Sequence, residues 1–453
     1  MTEFATLPDN ARSEALPRQA IKVLQMHKWL QAFARSDRAK QDAVLSARLI
    51  RLLNHAKRYA PFWSERLSRW LPEERFLSAV QRNLPVLSRD DLQLQFDNLR
   101  ADFPQRKTMN VFRTSSSGST GTPVRVEHLV ELHQPLQFAA RLLERSWHSI
   151  DLRKPIGQLS AKVKDKDHCS LGLPFRWFCA QPNAFSRCTK SREYGELYNY
   201  CVSRNPSYLV SVPLTLTALA RHAIKNGRRD LRPEIVLSYA SVITDEARET
   251  VREGLGAKIV ENYSSEETGL IAAQCPKHDH LHVLSPATLV EIVDENNEPC
   301  SVEQPGRVLV TSMQSYGMPL IRYDIGDIAE WGAPCDCGIT LPVIKKIWGR
   351  TRHMITHPDG HTTYARLFTT NDFEDSWNLK EYRFVLHQGS IVAAQLRVAE
   401  RSTELARHIT ELVQRKLGYP YQVRVQFVDK IDWGLSWKRE NFSVSDSPPP
   451  QQK

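Results

Sequence analysis

The sequence predicts an α/β protein in which a large N-terminal domain, with parallel sheets and a β-rich subdomain, precedes a small α+β domain. Residues 234–261 show strand, helix and strand patterns in turn, which is typical of a parallel βαβ unit. Two further strand patterns at 288–293 and 306–311 flank a polar turn and indicate a β-rich region. After Arg350, two hairpin strands, a helix and a strand predict the small domain.

Helical spacing and proline positions predict the helices near the N-terminus. Apolar residues recur every three to four positions over 41–60, and Pro61 ends this helix. A second helix is predicted over 136–147, with Pro135 in its first turn, where a missing N–H is harmless. The remaining predicted elements are the strands 234–240, 257–261, 382–386, 391–398 and 421–428 and the helices 245–255 and 403–417.

A chain of 453 residues exceeds one ordinary hydrophobic core and suggests two or three domains. We predict four parts from the pattern changes. They are an N-terminal helical segment of the large domain (1–110), its core (111–350), a mobile α+β domain (351–445) and a disordered tail (446–453).

Charge and composition narrow the class of protein. The net charge is +10, and the first 110 residues hold 19 Lys and Arg against 12 Asp and Glu. These charges are interleaved with apolar residues, so they predict solvated helix faces and no nucleic-acid partner. No run of about 18 apolar residues predicts a spanning helix, and the first 20 residues do not resemble a secretion signal. We therefore expect a cytoplasmic protein whose cysteines are thiols or metal ligands.

The segment 112–123 is rich in hydroxyl groups. It has seven Ser and Thr residues, two glycines and a closing proline. Glycine lets backbone N–H groups face an anion, and the hydroxyls add further donors, so the segment predicts a phosphate-binding loop. It is not a Walker loop, because no Gly-Lys-Ser/Thr follows the glycines. The alternative is a flexible linker.

A pair of carboxylates, Glu266 and Glu267, follows the predicted strand at 257–261. Ligands of parallel sheets bind beyond the carboxyl ends of strands, so the pair is well placed for Mg²⁺ on a nucleotide. The alternative is a capping segment for a following helix.

A third carboxylate, Asp327, follows Gly326 at the end of the β-rich region. A carboxylate held on a glycine turn can accept hydrogen bonds from both hydroxyls of a ribose. The alternative is an ordinary Asx turn.

Two cysteine segments have the composition of a metal site. Cys335 and Cys337 form a Cys-x-Cys knuckle, and Cys275 precedes three histidines at 278, 280 and 282. Three thiolates and one imidazole would suit tetrahedral zinc, whereas the alternative is two unrelated polar turns. Four further thiols are predicted to lie in the core, namely Cys169, Cys179, Cys188 and Cys201.

The order of these motifs, with Gly349-Arg350 at the predicted domain boundary, resembles the adenylate-forming superfamily of acyl-CoA synthetases, luciferases and peptide-synthetase adenylation domains. The phenylacetate–CoA ligase branch, which includes coenzyme F390 synthetase-like and CapK-like proteins, is the most similar. Residues 53–62 and 84–90 look like the entry segments of that branch. The resemblance spans about residues 45 to 440.

The resemblance implies roles for individual residues. The loop would hold the β- and γ-phosphates of ATP, Tyr263 would lie near adenine, and Glu267 would bind Mg²⁺. Asp327 would bind the ribose. Arg350 would correspond to the arginine that follows the family's glycine near the hinge. The loop residues are Ser116, Ser117, Gly118, Ser119, Thr120, Gly121 and Thr122.

The sequence departs from the family pattern at several positions. Ser264 replaces a glycine and Glu266 replaces a threonine in the acidic segment, and Arg352 stands at the hinge position. Lys438 is the candidate for the C-terminal lysine that orients the carboxylate and the α-phosphate, although Trp437 precedes it instead of glycine. A solvated surface lysine is the alternative.

The resemblance also implies a structural zinc, since some members of the branch carry one. Cys275, His282, Cys335 and Cys337 would be its ligands, with His280 and His278 as substitutes for His282.

The implied activity is that of an ATP-dependent ligase for a carboxylic acid, with an aryl acid favoured. It would form an acyl-adenylate and pass it to a thiol, either coenzyme A or the phosphopantetheine of an acyl carrier protein. ATP and Mg²⁺ are the implied cofactors. Residues 198–240 would supply the acid pocket, with Tyr239 and Phe138 flanking an aromatic acid. The alternative is that either aromatic residue belongs to the core. The alternatives are an adenylyltransferase of the coenzyme F390 synthetase type and a catalytically impaired scaffold. The sequence leaves open whether the chain forms a homodimer.

Overall fold

The computed structural model describes residues 18–69, 84–115, 123–161, 163–168, 184–190, 192–241, 243–350, 354–360, 362–364, 379, 381–387, 391–432, 442–445 and 447. Several residues with predicted roles lie outside the described residues. They are the loop residues 116–122, the hinge residue Arg352, Lys438, Cys169 and Cys179.

The chain divides into two compact units. The first comprises the described residues up to Ser115 together with Val124–Ile325 and Ala329–Ile347. The second comprises Pro123, Gly326–Ile328 and the described residues from Trp348 onward. The predicted domain limits at 110, 350 and 445 stay predictions beside this division.

The first unit contains nine of the described α-helices. None of the described helices is both long enough and apolar enough to cross a membrane. They are α1 (Arg18–Phe33), α2 (Arg38–Tyr59), α3 (Pro61–Arg66), α4 (Arg89–Leu94), α5 (Phe96–Leu99), α6 (Val130–Trp147), α7 (Tyr194–Arg204), α8 (Pro213–Lys225) and α9 (Asp245–Leu255), with a 3₁₀ turn at Pro104–Thr108.

Helix α2 follows directly from its sequence. The Asp37 carboxylate accepts a hydrogen bond from the Lys40 N–H at 2.8 Å and caps the first turn. Leu49, Leu52 and Leu53 are completely buried on one face of the helix. Pro61 then starts α3, so the predicted end of α2 is confirmed.

Helix α6 corrects one prediction, because it begins at Val130, six residues before the predicted start at 136. Pro135 therefore lies inside the helix and removes the N–H that would bond to the carbonyl of Glu131. Lys22 of α1 donates to that carbonyl from its ammonium group at 3.1 Å. An outside donor thus replaces the bond that proline removes.

A hairpin flanks the hydroxyl-rich segment. It consists of β1 (Val111–Ser115) and β2 (Arg125–Leu129), which are antiparallel, with Ser115 opposite Arg125. Glu127 of β2 is buried and pairs with Arg100, Arg106 and Arg113. A buried carboxylate needs such compensation, and three guanidinium groups supply it.

A twelve-stranded sheet contains the strands β3 to β14. Its spatial order is β11-β12-β13-β14-β10-β9-β8-β7-β6-β3-β5-β4. The strands are β3 (Ile156–Ser160), β4 (Lys166–His168), β5 (Ala184–Cys188), β6 (Tyr208–Ser211), β7 (Ile235–Ser238), β8 (Lys258–Ser265), β9 (Gly269–Gln274), β10 (Leu281–Val283), β11 (Thr288–Val293), β12 (Pro305–Ser312), β13 (Tyr323–Trp331) and β14 (Val343–Arg350).

The predicted βαβ unit is confirmed. Strands β7 and β8 are parallel neighbours, joined by α9. The Thr244 hydroxyl caps the first turn of α9, and Gly256 ends the helix with a φ of +66°, which favours glycine. Strands β3, β5 and β6 extend the parallel part of the sheet. Strands β11 and β12 form the predicted antiparallel pair.

The second unit has the predicted α+β pattern. Strands β17 and β18 are antiparallel, and α10 leads to β19, which is parallel to β18. The sequence did not predict β20, which is parallel to β17. The elements are β15 (Met354–Thr356), β16 (Thr362–Tyr364), β17 (Glu381–His387), β18 (Ile391–Arg397), α10 (Thr403–Leu417), β19 (Gln422–Phe427) and β20 (Phe442–Ser445).

Candidate functional site

The acidic segment lies in the turn between β8 and β9. Strand β8 runs on to Ser265, past the predicted end at residue 261, and Gly269 begins β9. The ladder shifts register between Tyr263 and Ser264, where the family pattern has a glycine. Because a strand and not a helix follows the acidic pair, the helix-capping alternative is wrong.

Gln137 of α6 holds this turn through both ends of its side-chain amide. Its oxygen accepts from the Leu270 N–H at 2.8 Å, and its nitrogen donates to the Thr268 carbonyl at 3.3 Å. Gly269 has a φ of +83°, and a Cβ there would collide with the amide of Gln137. No local sequence pattern predicts this contact, because Gln137 and the turn are far apart along the chain.

The two carboxylates of the turn differ in their exposure to solvent. The Glu266 side chain is exposed, whereas Glu267 is 6% exposed and Tyr263 is 8% exposed. The Ser265 hydroxyl accepts from the Thr268 N–H at 3.0 Å and closes the turn. A buried carboxylate in a turn at the end of a strand can serve as a cation ligand.

Two buried histidines flank the acidic turn. His128 of β2 lies against the backbone of Glu266 and stacks on Phe112 with a centroid separation of 4.8 Å. Its ring is 4.1 Å from that of His133 in α6. Burial lowers the pKa of His128 to about 4, and it lowers the pKa of His133 as well. Both imidazoles are therefore neutral at pH 7.

Buried neutral histidines make the first unit sensitive to acid. Burial lowers the pKa of His148 to about 4, as for His128, from an ordinary value near 6.5. Between these two pKa values the unfolded chain binds more protons than the folded chain. The stabilisation from the neutral histidines is therefore complete above pH 6.5, and the free energy of unfolding falls as the pH falls from 6.5 towards 4. We expect His148→Gln to make the free energy of unfolding less dependent on pH, by up to about 1.4 kcal/mol per pH unit. Urea unfolding between about pH 5 and about pH 7 measures it.

The control for this prediction is His222→Gln, at a half-exposed histidine of α8. A His148→Gln slope that matches the control would contradict the assignment of a depressed pKa to His148.

Asp327 and Arg350 form an ion pair within the second unit. The Arg350 Nε lies 3.0 Å from Oδ1 of Asp327, whose side chain is 10% exposed. Gly326 and Asp327 lie inside β13 and not in a turn after it, so the Asx-turn alternative is wrong. Gly326 has a φ of +76°, which interrupts regular strand geometry next to the carboxylate.

The structure brings the two cysteine segments together. The ligand atoms of Cys275, His282, Cys335 and Cys337 all lie within 4.8 Å of one another. The Sγ atoms of Cys275 and Cys335 are 3.7 Å apart, and Cys337 Sγ is 3.3 Å from His282 Nε2. The alternative of two unrelated polar turns is therefore wrong. His282, rather than His278 or His280, completes the group of four.

This group has the geometry and surroundings of a tetrahedral metal site. Zinc–sulfur bonds of about 2.3 Å imply sulfur–sulfur edges of about 3.8 Å, close to the observed separation. His282 is buried and its Nδ1 lies 3.2 Å from the Leu341 carbonyl. With its proton on Nδ1, the ring donates a hydrogen bond to this carbonyl and leaves the Nε2 lone pair towards the thiols. Burial raises the pKa of the Cys335 thiol to about 12 and that of Cys275 as well. A metal ion would displace these protons.

Gln274 connects the metal-site segment to the strand of the acidic turn. Its nitrogen donates to Asp279 at 2.9 Å, between the ligands Cys275 and His282, and its oxygen accepts from the Glu261 N–H at 2.9 Å. Arg248 pairs with the Glu261 carboxylate at 2.8 Å. Burial raises the pKa of Glu261 to about 7 despite this arginine. Sequence reasoning missed this network, because none of its members forms a local motif.

The residues proposed for the acid pocket have different environments. Tyr198 is completely buried in a core cluster, and its hydroxyl donates to Asp230 at 3.0 Å, so it is a core residue. Tyr239 is half-buried directly after the carboxyl end of β7, and Phe138 is half-buried on α6. Their roles stay predictions. Cys201 is buried as expected, and Cys188 is half-buried.

No protein-family model matches the chain. A phenylacetate–coenzyme A ligase from Thermus thermophilus is 29% identical over 157 residues, which are 33% of this chain and 35% of the relative. The aligned segment thus spans about a third of that relative's length.

Solved structures match over much more of the chain. A 2-hydroxyisobutyryl-CoA ligase in its postadenylation state has a TM-score of 0.69 at 17% identity, covering 92% of this chain and 91% of the other. An anthranilate CoA ligase in complex with anthranoyl-AMP has a TM-score of 0.50 at 14% identity, covering 80% and 74%.

These matches confirm the predicted fold class. The chain has the two-domain α/β fold of the adenylate-forming ligases, as the order of its motifs predicted. Within that class, its aligned segment is similar to a phenylacetate–coenzyme A ligase.

Proposed function

We propose that this protein is an ATP-dependent carboxylic acid ligase that forms AMP and pyrophosphate and transfers the acyl group to a thiol. The observation that carries the proposal is the acidic turn, where Tyr263 and Glu267 are buried at the end of β8 within an acid-activating ligase fold. An aryl acid is the favoured substrate, because the resemblance and the aligned phenylacetate–coenzyme A ligase agree on that class.

In the first half-reaction, an oxygen of the substrate carboxylate attacks the α-phosphorus of ATP. The bond from that phosphorus to the bridging oxygen of the β-phosphate breaks, and pyrophosphate leaves. Catalysis of such a step is mainly positioning and charge neutralisation. Tyr263 would lie beside the adenine, and Asp327 would accept hydrogen bonds from the ribose hydroxyls. Glu267 would hold Mg²⁺, which supplies charge neutralisation at the phosphates when bound.

In the second half-reaction, a thiolate attacks the acyl carbon and AMP leaves. Coenzyme A is the favoured acceptor, and the phosphopantetheine of an acyl carrier protein is the other thiol of the same chemistry. The proposed roles of residues 116–122, Arg352 and Lys438 rest on the sequence resemblance. A cytoplasmic location and the oligomeric state stay predictions.

We further propose that Cys275, His282, Cys335 and Cys337 bind a structural zinc ion. Protein side chains would supply all four ligands and leave no position for water, which is typical of structural rather than catalytic zinc. The Leu341 carbonyl would fix the tautomer of His282 for metal binding.

Carboxylate-dependent ATP–pyrophosphate exchange tests the proposed activity. Aromatic, hydroxyaromatic and aliphatic acids are compared, and thiol acceptors are then added with the best acid. We expect exchange with an aryl acid and thioester formation with coenzyme A. AMP transfer to a phenolic hydroxyl without thioester would favour the coenzyme F390 synthetase type. Failure to bind ATP–Mg²⁺ in calorimetry would favour a scaffold and contradict the proposal.

A further inference from the structure

Three imidazoles lead from the surface to the buried metal group. His278 has a side chain that is 44% exposed, His280 is half-buried, and His282 is completely buried. The rings of His278 and His280 are stacked with centroids 5.1 Å apart, and those of His280 and His282 are 5.2 Å apart. The segment thus presents nitrogen ligands at successive depths.

A second group of ligand atoms lies at the outer end of this series. The ligand atoms of His278, Cys335 and Asp336 also lie within 4.8 Å of one another. His278 Nε2 is 2.6 Å from Oδ1 of Asp336, whose side chain is 73% exposed. Cys335 belongs both to this outer group and to the buried group of four. One sulfur therefore connects a solvent-accessible set of ligands with a desolvated one.

His280 supplies a separate observation between the two groups. Its Nε2 is buried and has no hydrogen-bond partner. Buried polar atoms are usually hydrogen-bonded, because an unsatisfied one carries a desolvation penalty. In the tautomer with its proton on Nδ1, this nitrogen would offer a lone pair to a cation that moves from the exposed to the buried ligand set.

We propose that His278, Asp336 and Cys335 form an outer, transient binding set through which a divalent cation enters the buried group of Cys275, His282, Cys335 and Cys337. This inference rests on the proposed metal site. The physical reason is access: two of the four final ligands are buried, and a hydrated cation must lose its water before it reaches them. The exposed ligands would replace the first water molecules of the hydrated cation while solvent still surrounds the rest of it.

The transfer is a ligand exchange without oxidation or reduction. Cys335 loses its proton to solvent when the cation is captured and keeps its metal–sulfur bond throughout. The bonds to the Asp336 oxygen and the His278 nitrogen break as bonds to two thiolates and the His282 nitrogen form. Cys275 and Cys337 release their protons to water in this step. Metal uptake therefore releases three thiol protons in total.

Stopped-flow binding of Co²⁺ to the full-length, chelator-stripped protein tests the proposal. The absorption of Co²⁺ distinguishes sulfur-rich from oxygen-containing coordination, so it follows arrival at the buried group. We expect the double variant His278→Ala/Asp336→Asn to load about ten- to hundredfold more slowly. Its final spectrum and its stoichiometry of one Co²⁺ per chain should match those of the unmodified protein.

The matched control is Asp279→Asn, which removes an equally exposed carboxylate from the same segment but from neither ligand group. We expect it to load within about twofold of the unmodified rate, because both ligand groups stay intact and asparagine keeps an oxygen that can accept the hydrogen bond from Gln274. Unchanged loading in the double variant would overturn the entry path while the buried site stands. Two Co²⁺ retained per chain would overturn its transient nature. No Co²⁺ binding by the unmodified protein would contradict the buried site and the path together.

Discussion

Replacing Glu267 by glutamine is expected to lower carboxylate-dependent ATP–pyrophosphate exchange by about 10²–10³-fold. Glu267 is 6% exposed, so its charge acts where water screens it little. Glutamine keeps the size of the side chain but removes the negative charge proposed to hold Mg²⁺. A loss of this size is what one preorganised electrostatic contact contributes to a charged transition state. Exchange at saturating acid over a range of Mg²⁺ concentrations measures the loss and its dependence on the cation.

The adjacent residue provides a control of the same chemistry. Glu266 carries an exposed side chain in the same turn, so Glu266→Gln changes the same charge one position away. We expect exchange within about threefold of the unmodified rate in this variant, because solvent screens the exposed carboxylate. Near-normal exchange in Glu267→Gln, with its melting temperature preserved, would sink the assigned role of Glu267.

Asp327→Ala is expected to abolish the same exchange, because it removes the proposed ribose acceptor and leaves Arg350 without that ion pair. Its effect should fall on ATP affinity, which calorimetry measures separately from the acid. Retained ATP affinity would contradict the proposed ribose contact.

Removing the metal is expected to have the second large effect, on stability. A ligand that binds only the folded chain stabilises it by about 4 kcal/mol when its free concentration is a thousand times Kd. We therefore expect Cys337→Ser to lose bound zinc and to lower the melting temperature by about 5 °C. Metal analysis after dialysis, together with scanning calorimetry, gives both quantities.

Cys300→Ser is the matched control, since Cys300 is a buried thiol outside the group of four. It should keep one zinc per chain and lose only the small amount of stability that a buried hydroxyl costs. If Cys337→Ser retained zinc, or if chelation left the melting temperature of the unmodified chain unchanged, a structural zinc would be excluded.

Much of the fold was predictable because its elements carry local signals. The helix at 245–255 has its cap and its ending glycine within the sequence itself, and the structure has the same bounds. Helix α6 was predicted too short, because Pro135 normally marks a helix start. The donor that compensates for it, Lys22, lies more than one hundred residues earlier. No local pattern reports such a contact.

The residues of the candidate site also fall into those that local motifs predicted and those that they did not. The four metal-site residues were predicted as a set because two short motifs and a resemblance supported each other, and the structure brings them together. Gln137, Gln274 and His128 were missed, although all three lie against the acidic turn or its strand. Their contribution comes from positions that distant strands and helices take in the folded sheet, and their residue types alone are commonplace.

Strand β9 has a consequence for exchanging segments between related proteins. It is six residues long, or about 20 Å, with the acidic turn before its first residue and Cys275 after its last. A one-residue insertion in it would turn every following side chain to the opposite face, so both ends would lose their registration together. An exchange of segments should therefore keep the interval from β8 to Cys337 together. A chimaera with a crossover point inside β9 would therefore disturb both the acidic turn and the metal group.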